Sequence, residues 1–124
     1  MIDDYKGKLI YLASPYTHPN PRVMEERFHS VCKAAARLIG QGHFIYCPIA
    51  HSHPIAQAAN LPSDWQYWEH LDKLLISKTD AMAVLMLPGW DSSKGVYEET
   101  RIALNLGLPV FHVRPTPLEL DNLL

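Results

Sequence analysis

The sequence predicts a three-layer, doubly wound α/β protein built on a parallel sheet of four to five strands. Three observations carry that expectation. Short apolar runs alternate with amphipathic patterns of helical period. The runs are apolar throughout rather than alternating, as in strands covered on both faces. The segments between them are long enough for crossover helices, which pair neighbouring strands in parallel.

The first strand is expected at Lys8 to Ala13 (KLIYLA). Asn20 and Pro21 then supply a helix cap and a proline at the first helical position. Met24, Phe28, Val31, Cys32, Ala35, Leu38 and Ile39 follow at helical spacing, and Gly40 and Gly42 close the helix. His43 to Cys47 (HFIYC) reads as the second strand, stopped by Pro48. Residues 48 to 62 hold three prolines and read as irregular. Ser63 and Gln66 form a capping-box pattern that opens a helix running to about Lys78. Ala81 to Leu87 (AMAVLML) is the third and most apolar strand, followed by a turn at Pro88 to Ser93. A third helix spans about Lys94 to Leu106 and ends at Gly107. Pro109 to Val113 is a fourth strand, and Leu118 to Leu124 forms a last short helix. The class is flavodoxin-like or Rossmann-like, and the 124 residues suit one domain.

Composition narrows the function. Apolar residues make up 48 % of the chain and charged residues 19 %, enough for a core. A net charge of −2 argues against nucleic acid as a partner. No apolar run reaches the length of a membrane span, and the N-terminus lacks the pattern of a signal peptide. Cys32 and Cys47 form no CxxC pair and read as reduced thiols of a cytoplasmic protein.

In such a sheet, ligands bind beyond the carboxyl ends of the strands, where strand order reverses. The rule selects Ser14 to His18, Pro48 to Pro54, Pro88 to Ser93 and Arg114-Pro115. The sharpest signal is in the third helix. At about 100° per residue, Val96, Ile102, Ala103 and Leu106 define an apolar stripe with Glu99 at its middle. Glu98 falls at the polar edge, near Lys94, Arg101 and Asn105. A buried carboxylate costs several kcal/mol unless paired, so Glu99 is either functional or a structural acid satisfied by a tyrosine or an amide.

Other candidates each carry two readings. Ser14-Pro15-Tyr16 places a small residue where a ligand could approach and an aromatic that could stack on a base, or is a simple turn. His51 and His53 could ligate a metal or wall a polar pocket; with no HExxH and no acid cluster beside them, no metal or cofactor is expected. Trp65 and Trp68 could line a base pocket, pack internally or meet a second copy. Arg114 could reach a phosphate or lie on the surface. Neither GxGxxG nor a P-loop is present, which removes the main support for dinucleotide and NTP-hydrolase readings.

Three segments together resemble the nucleoside 2-deoxyribosyltransferase superfamily, over about residues 8 to 113. They are Ile10-Tyr11-Leu12-Ala13-Ser14-Pro15-Tyr16, the pair Asp72 and Asp80, and Gly89-Trp90-Asp91-Ser92-Ser93-Lys94-Gly95-Val96-Tyr97-Glu98-Glu99, leading to Gly107-Leu108-Pro109-Val110. The last contains an S/D-x-G-x-x-x-E spacing and a closing G-x-P-V, and it selects Glu99 over Glu98 as the helical wheel does. The resemblance implies that Glu99 attacks the anomeric carbon of a nucleoside or nucleotide and displaces the base. Tyr11 would orient Glu99, and Asp72 would contact the substrate and manage the leaving base. Asp91, Ser93 and Gly95 would lie in the substrate loop beside Ser14, Pro15, Tyr16 and His51. The deoxyribosyltransferases proper carry Asp where this chain has Ser93; members that hydrolyse deoxynucleoside 5′-monophosphates carry Ser. Ser93 is therefore read either as a phosphate contact at a helix start or as a plain N-cap.

The resulting expectation is an N-glycosidase or deoxyribosyltransferase with a small-molecule nucleoside or nucleotide as its partner. The resemblance also implies a homodimer or larger homo-oligomer, which the Leu-rich tail and the tryptophans suit. The alternative is a non-catalytic nucleotide-binding or sensing module on the same fold.

Overall fold

A computed structural model describes residues 1–123 of the chain. The elements are β1 (Leu9–Ala13), α1 (Pro21–Gly40), β2 (Phe44–Tyr46), α2 (Pro48–Ala59), α3 (Trp65–Ile76), β3 (Ala81–Leu85), α4 (Lys94–Asn105), β4 (Val110–Val113) and α5 (Pro117–Leu120). Three short 3-10 turns, Ile2–Tyr5, Trp90–Ser92 and Asp121–Leu123, complete them. The four strands form one parallel sheet in the order β2-β1-β3-β4, the flavodoxin-like, doubly wound arrangement. The chain steps from β1 to β2 on one side and then crosses back to β3 on the other. The reversal of strand order thus lies between β1 and β3.

Alternation along the central strands divides the core in two. Ile10, Leu12, Ala81, Ala83 and Leu85 face α1, whose Val31, Ala34, Ala35 and Leu38 pack on them. Tyr11, Ala13, Met82 and Val84 face the other side, under Ile76 of α3 and Val96, Ile102 and Ala103 of α4. β3 is buried along its whole length, which explains its unbroken apolar run. The edge strands β2 and β4 are partly exposed.

Strand ends coincide with the expected ones at Ala13, Ala81 and Val113 and elsewhere fall one or two residues inside them. β3 stops at Leu85, because Leu87 turns back to bond the Leu85 carbonyl. Two expectations fail more clearly. Residues 48 to 62 are not irregular: Pro48–Ala59 is the helix α2, with Pro48 at its first turn and Asn60 closing it in the left-handed conformation at φ 55°. Pro54 sits inside that helix, where a missing amide and ring crowding cost ~3 kcal/mol. Burial of Ile49, His53 and Ala56 on one face offsets that cost. The Ser63–Gln66 capping box does not form either. Asp64 is the N-cap of α3, and the Ser63 carbonyl instead accepts a hydrogen bond from Thr17 Oγ1 at 2.9 Å. That bond ties the loop after β1 to the loop before α3.

The tail is helical as expected but changes type along its length. Only Pro117–Leu120 is α-helical, Asp121–Leu123 is a 3-10 turn, and Leu124 lies outside the described residues. Leu120 and Leu123 pack on the α1 side of this chain's own core, leaving Leu118 exposed. No helix among the described residues is long and apolar enough to cross a membrane.

Candidate active site

Tyr11 points from β1 to the α3–α4 side of the sheet, and Glu99 points down from the second turn of α4 to meet it. Tyr11 Oη donates to Glu99 Oε2 at 2.5 Å in a buried setting. Asp72, on α3, is buried beside them, and its Oδ1 has no hydrogen-bond partner among the described residues. Burial raises the Glu99 carboxyl to about 8; the Tyr11 hydrogen bond opposes the shift, and the Asp72 charge adds to it. Burial likewise raises Asp72 to about 7. Tyr11 is held well above the ordinary phenol range, first by burial and then by the Glu99 and Asp72 charges, so it keeps its proton and acts as a donor. Both acids are thus pushed toward the neutral form, and the Asp72 charge disfavours ionisation of Glu99 beside it.

The acids open into one pocket at the carboxyl ends of the strands. Its walls include Ser14 and Tyr16 from the loop after β1, His53 from α2, Trp65 and Trp68 from α3, and Ser93, Gly95 and Glu99 from α4. Ser14 Oγ, also buried there, has no partner among the described residues. Buried polar atoms are seldom left unpaired, and Ser14 and Asp72 both line this pocket, so a polar group entering it could bond to them.

Residues 8–114 match the family described as a domain of unknown function, DUF1937. The chain belongs to that family. The match runs from the start of β1 to the end of β4 and contains every residue named in the pocket. No curated protein sequence matches the chain.

Within this DUF1937 domain, Tyr11, Ser14, Tyr16, Asp72, Ser93, Gly95 and Glu99 converge at one place. Pro15 is fully buried behind the loop and does not line the pocket. Asp91 is exposed and borders a separate groove with Trp90, Tyr97 and His112. His51 is also outside: it is exposed and turned toward Ser52 and Tyr46. Two residues along α2, a rotation of about 200° sets it away from the face that carries His53 into the pocket. Ser93 is the N-cap of α4, its Oγ accepting from the Val96 amide at 3.2 Å. Asp80 lies at the other end of the sheet, where its Oδ2 accepts from the Leu9 amide at 2.8 Å. Arg114 is exposed and outside the pocket. Glu98 pairs with Arg101 at 2.8 Å on the outer side of α4. Leu106, assigned to the apolar stripe, is exposed as the C-cap of that helix.

The sequence reading missed Arg27 and Glu25. Arg27 Nη1 donates to the Tyr16 and Thr17 carbonyls, at 3.3 and 3.1 Å, and holds the loop after β1. It also borders the pocket mouth with His18, Ser93, Lys94 and Gly95. Gly89 fits tightly here: a Cβ would sit 3.0 Å from Arg27 Nη2, and its φ of 93° disfavours other residues. Among the described residues no group of three His, Cys, Asp or Glu is placed to hold a metal. Cys47 is a free thiol that burial pushes up to about 12, well outside the range of a reactive thiolate.

Proposed function

We propose that this protein is a cytoplasmic N-glycosidase or deoxyribosyltransferase related to the nucleoside 2-deoxyribosyltransferase superfamily. It acts on nucleosides or their 5′-monophosphates through Glu99. The observation that carries this reading is a buried, tyrosine-bound glutamate in an open pocket beside an unpaired aspartate. A tyrosine bond alone would also suit a structural acid; the unpaired Asp72 carboxyl oxygen and the pocket that both acids line favour the functional reading.

The chemistry follows from those two acids. Positive charge developing at the anomeric carbon favours the ionised form of Glu99, and its proton moves to Asp72. Glu99 attacks the sugar carbon while Asp72 donates that proton to the departing base. The resulting glycosyl ester passes to water or to another base. Tyr11, bonded to Oε2, fixes the carboxylate and takes up part of its negative charge when it leaves. Trp65 and Trp68 offer flat faces to a base. A 5′-phosphate suits the mouth, where Arg27, His18 and Lys94 lie beside the first amides of α4. Ser93 accepts from Val96 and keeps its hydroxyl hydrogen for such a phosphate.

The test is base release from a panel of ribo- and deoxyribonucleosides and their 5′-monophosphates, with and without an acceptor base. Wild type is run beside Glu99→Ala and Glu98→Ala. We expect Glu99→Ala to lose ~10³-fold or more and Glu98→Ala to stay within about threefold of wild type. Ligand binding without base release by any member would identify a nucleotide-binding module instead.

A further inference from the structure

Tyr16 and His53 line the same pocket and have no part in the chemistry above. Tyr16 Oη lies 2.6 Å from His53 Nδ1, and His53 Nε2 lies 2.5 Å from Glu25 Oε2 on α1. The His53 ring is 4 % exposed and stacked on Phe28, with centroids 4.3 Å apart, so it cannot turn freely. Glu25 also accepts from Gln57 Nε2 at 3.2 Å, and His29 Nε2 lies 3.2 Å from its other oxygen.

These contacts set the direction of the chain. The hydrogen bond from His53 holds Glu25 below the ordinary carboxylate range, so Glu25 is ionised and only accepts. His53 Nε2 therefore carries hydrogen. In the neutral ring Nδ1 is then a lone pair, and Tyr16 must donate to it. Burial raises the Tyr16 phenol, which keeps its proton until another replaces it. Tyr16 Oη accordingly offers lone pairs to the pocket, backed by an imidazole and a carboxylate. This is the arrangement of a general base oriented by a third group.

We infer that Tyr16, His53 and Glu25 form a proton relay that activates the water attacking the glycosyl ester on Glu99. The inference rests on the reading of Glu99 as nucleophile. Water donates its proton to Tyr16 Oη while the Tyr16 proton passes to His53 Nδ1. The water oxygen bonds to the anomeric carbon, the bond from that carbon to the Glu99 oxygen breaks, and the electron pair leaves with Glu99. The imidazolium is balanced by Glu25, and its proton returns through Tyr16 to solvent. Tyr16 touches the attacking water; His53 and Glu25 are positioning residues. The titratable groups facing the ring are Glu25 and His29 from α1 and Tyr16 from the loop after β1; Asp72 and Glu99, from α3 and α4, share its pocket.

The experiment is quenched-flow base release from deoxynucleoside 5′-monophosphates by wild type, Tyr16→Phe, His53→Gln and Glu25→Gln, with and without sodium azide. Azide attacks without losing a proton, so it needs no base. We expect each variant to release one base per site in a burst near the wild-type rate. Later turnovers should then be ~10²-fold slower for Tyr16→Phe and His53→Gln and ~10-fold slower for Glu25→Gln. Azide should restore turnover and yield a glycosyl azide, which a merely structural defect would not allow. Equal loss of burst and turnover, unchanged turnover, or rescue by azide of Asp72→Asn but not of His53→Gln overturns the relay alone. Wild type that releases no base from any member overturns the Glu99 reading and the relay with it. A readout free of activity is nitrogen NMR of the ligand-free protein. The Nε2–H tautomer of His53 is expected at neutral pH, and the Nδ1–H tautomer overturns the relay.

Discussion

Glu99 and Glu119 are buried almost equally, at 5 % and 3 % exposure, and the protein treats them in opposite ways. Glu119 meets Arg37 in a two-point ion pair, at 2.7 and 3.0 Å, and accepts from the Thr116 amide at 3.1 Å. Burial raises its carboxyl, but the Arg37 and Thr116 hydrogen bonds and the Arg37 charge outweigh it, leaving the group below the ordinary range. Glu99 has a neutral phenol and a second acid for company, and it rises to about 8. Burial by itself therefore says little about role. The partner decides: a cation closes the ledger at Glu119, whereas Glu99 has no cation to offset its charge among the described residues.

The largest expected contrast is in activity. Glu99→Gln should abolish base release by ~10³-fold or more, while Glu119→Gln should leave the rate per folded molecule within about twofold. Stability should invert that order. Arg37→Met strands a buried carboxylate and should cost ~1–3 kcal/mol by denaturant unfolding, whereas Glu99→Gln should stabilise the fold by a similar amount near pH 7. The dependence on pH sharpens the contrast. An unfolded glutamate titrates near about 4.3. Glu119, held lower in the fold, contributes stability above that pH and loses it as pH falls through its folded value. Glu99, held higher, does the reverse: wild type should lose stability relative to Glu99→Gln as pH rises from about 4.3 toward about 8. Unfolding at a series of pH values checks both signs, and parallel slopes would show that the two acids are equivalent. The smallest effect is a titration: in Asp72→Asn, Glu99 should ionise at lower pH, because the Asp72 charge contributes to its rise. Carbon NMR of the Glu99 carboxyl reads that shift.

Much of this was legible in the chain. The unbroken apolar run Ala81 to Leu85 signals a central strand, and the strand–helix alternation specifies a parallel sheet. Glu99 stands out because a charge in the middle of an apolar stripe violates helical patterning. α2 was hidden because Pro54 and the His-Ser-His sequence are loop-like locally, yet Ile49, His53 and Ala56 stand at helical spacing and would have separated His53 from His51. No local pattern distinguishes Glu25 or Arg27 from the other charges of α1. Their partners lie 28 and 10 to 11 positions away, on other segments.

Local periodicity by itself determined the strands, the helices other than α2, the sheet type and the inward direction of Glu99, since each depends on residues within a few turns of one another. Only the tertiary structure decided that Tyr11 and Glu99, 88 positions apart, share a hydrogen bond, and that His53 connects Glu25 to Tyr16. Those contacts depend on how α2, α3 and α4 dock around the sheet. Docking is set by side-chain volume and shape across elements, which no short window of sequence contains.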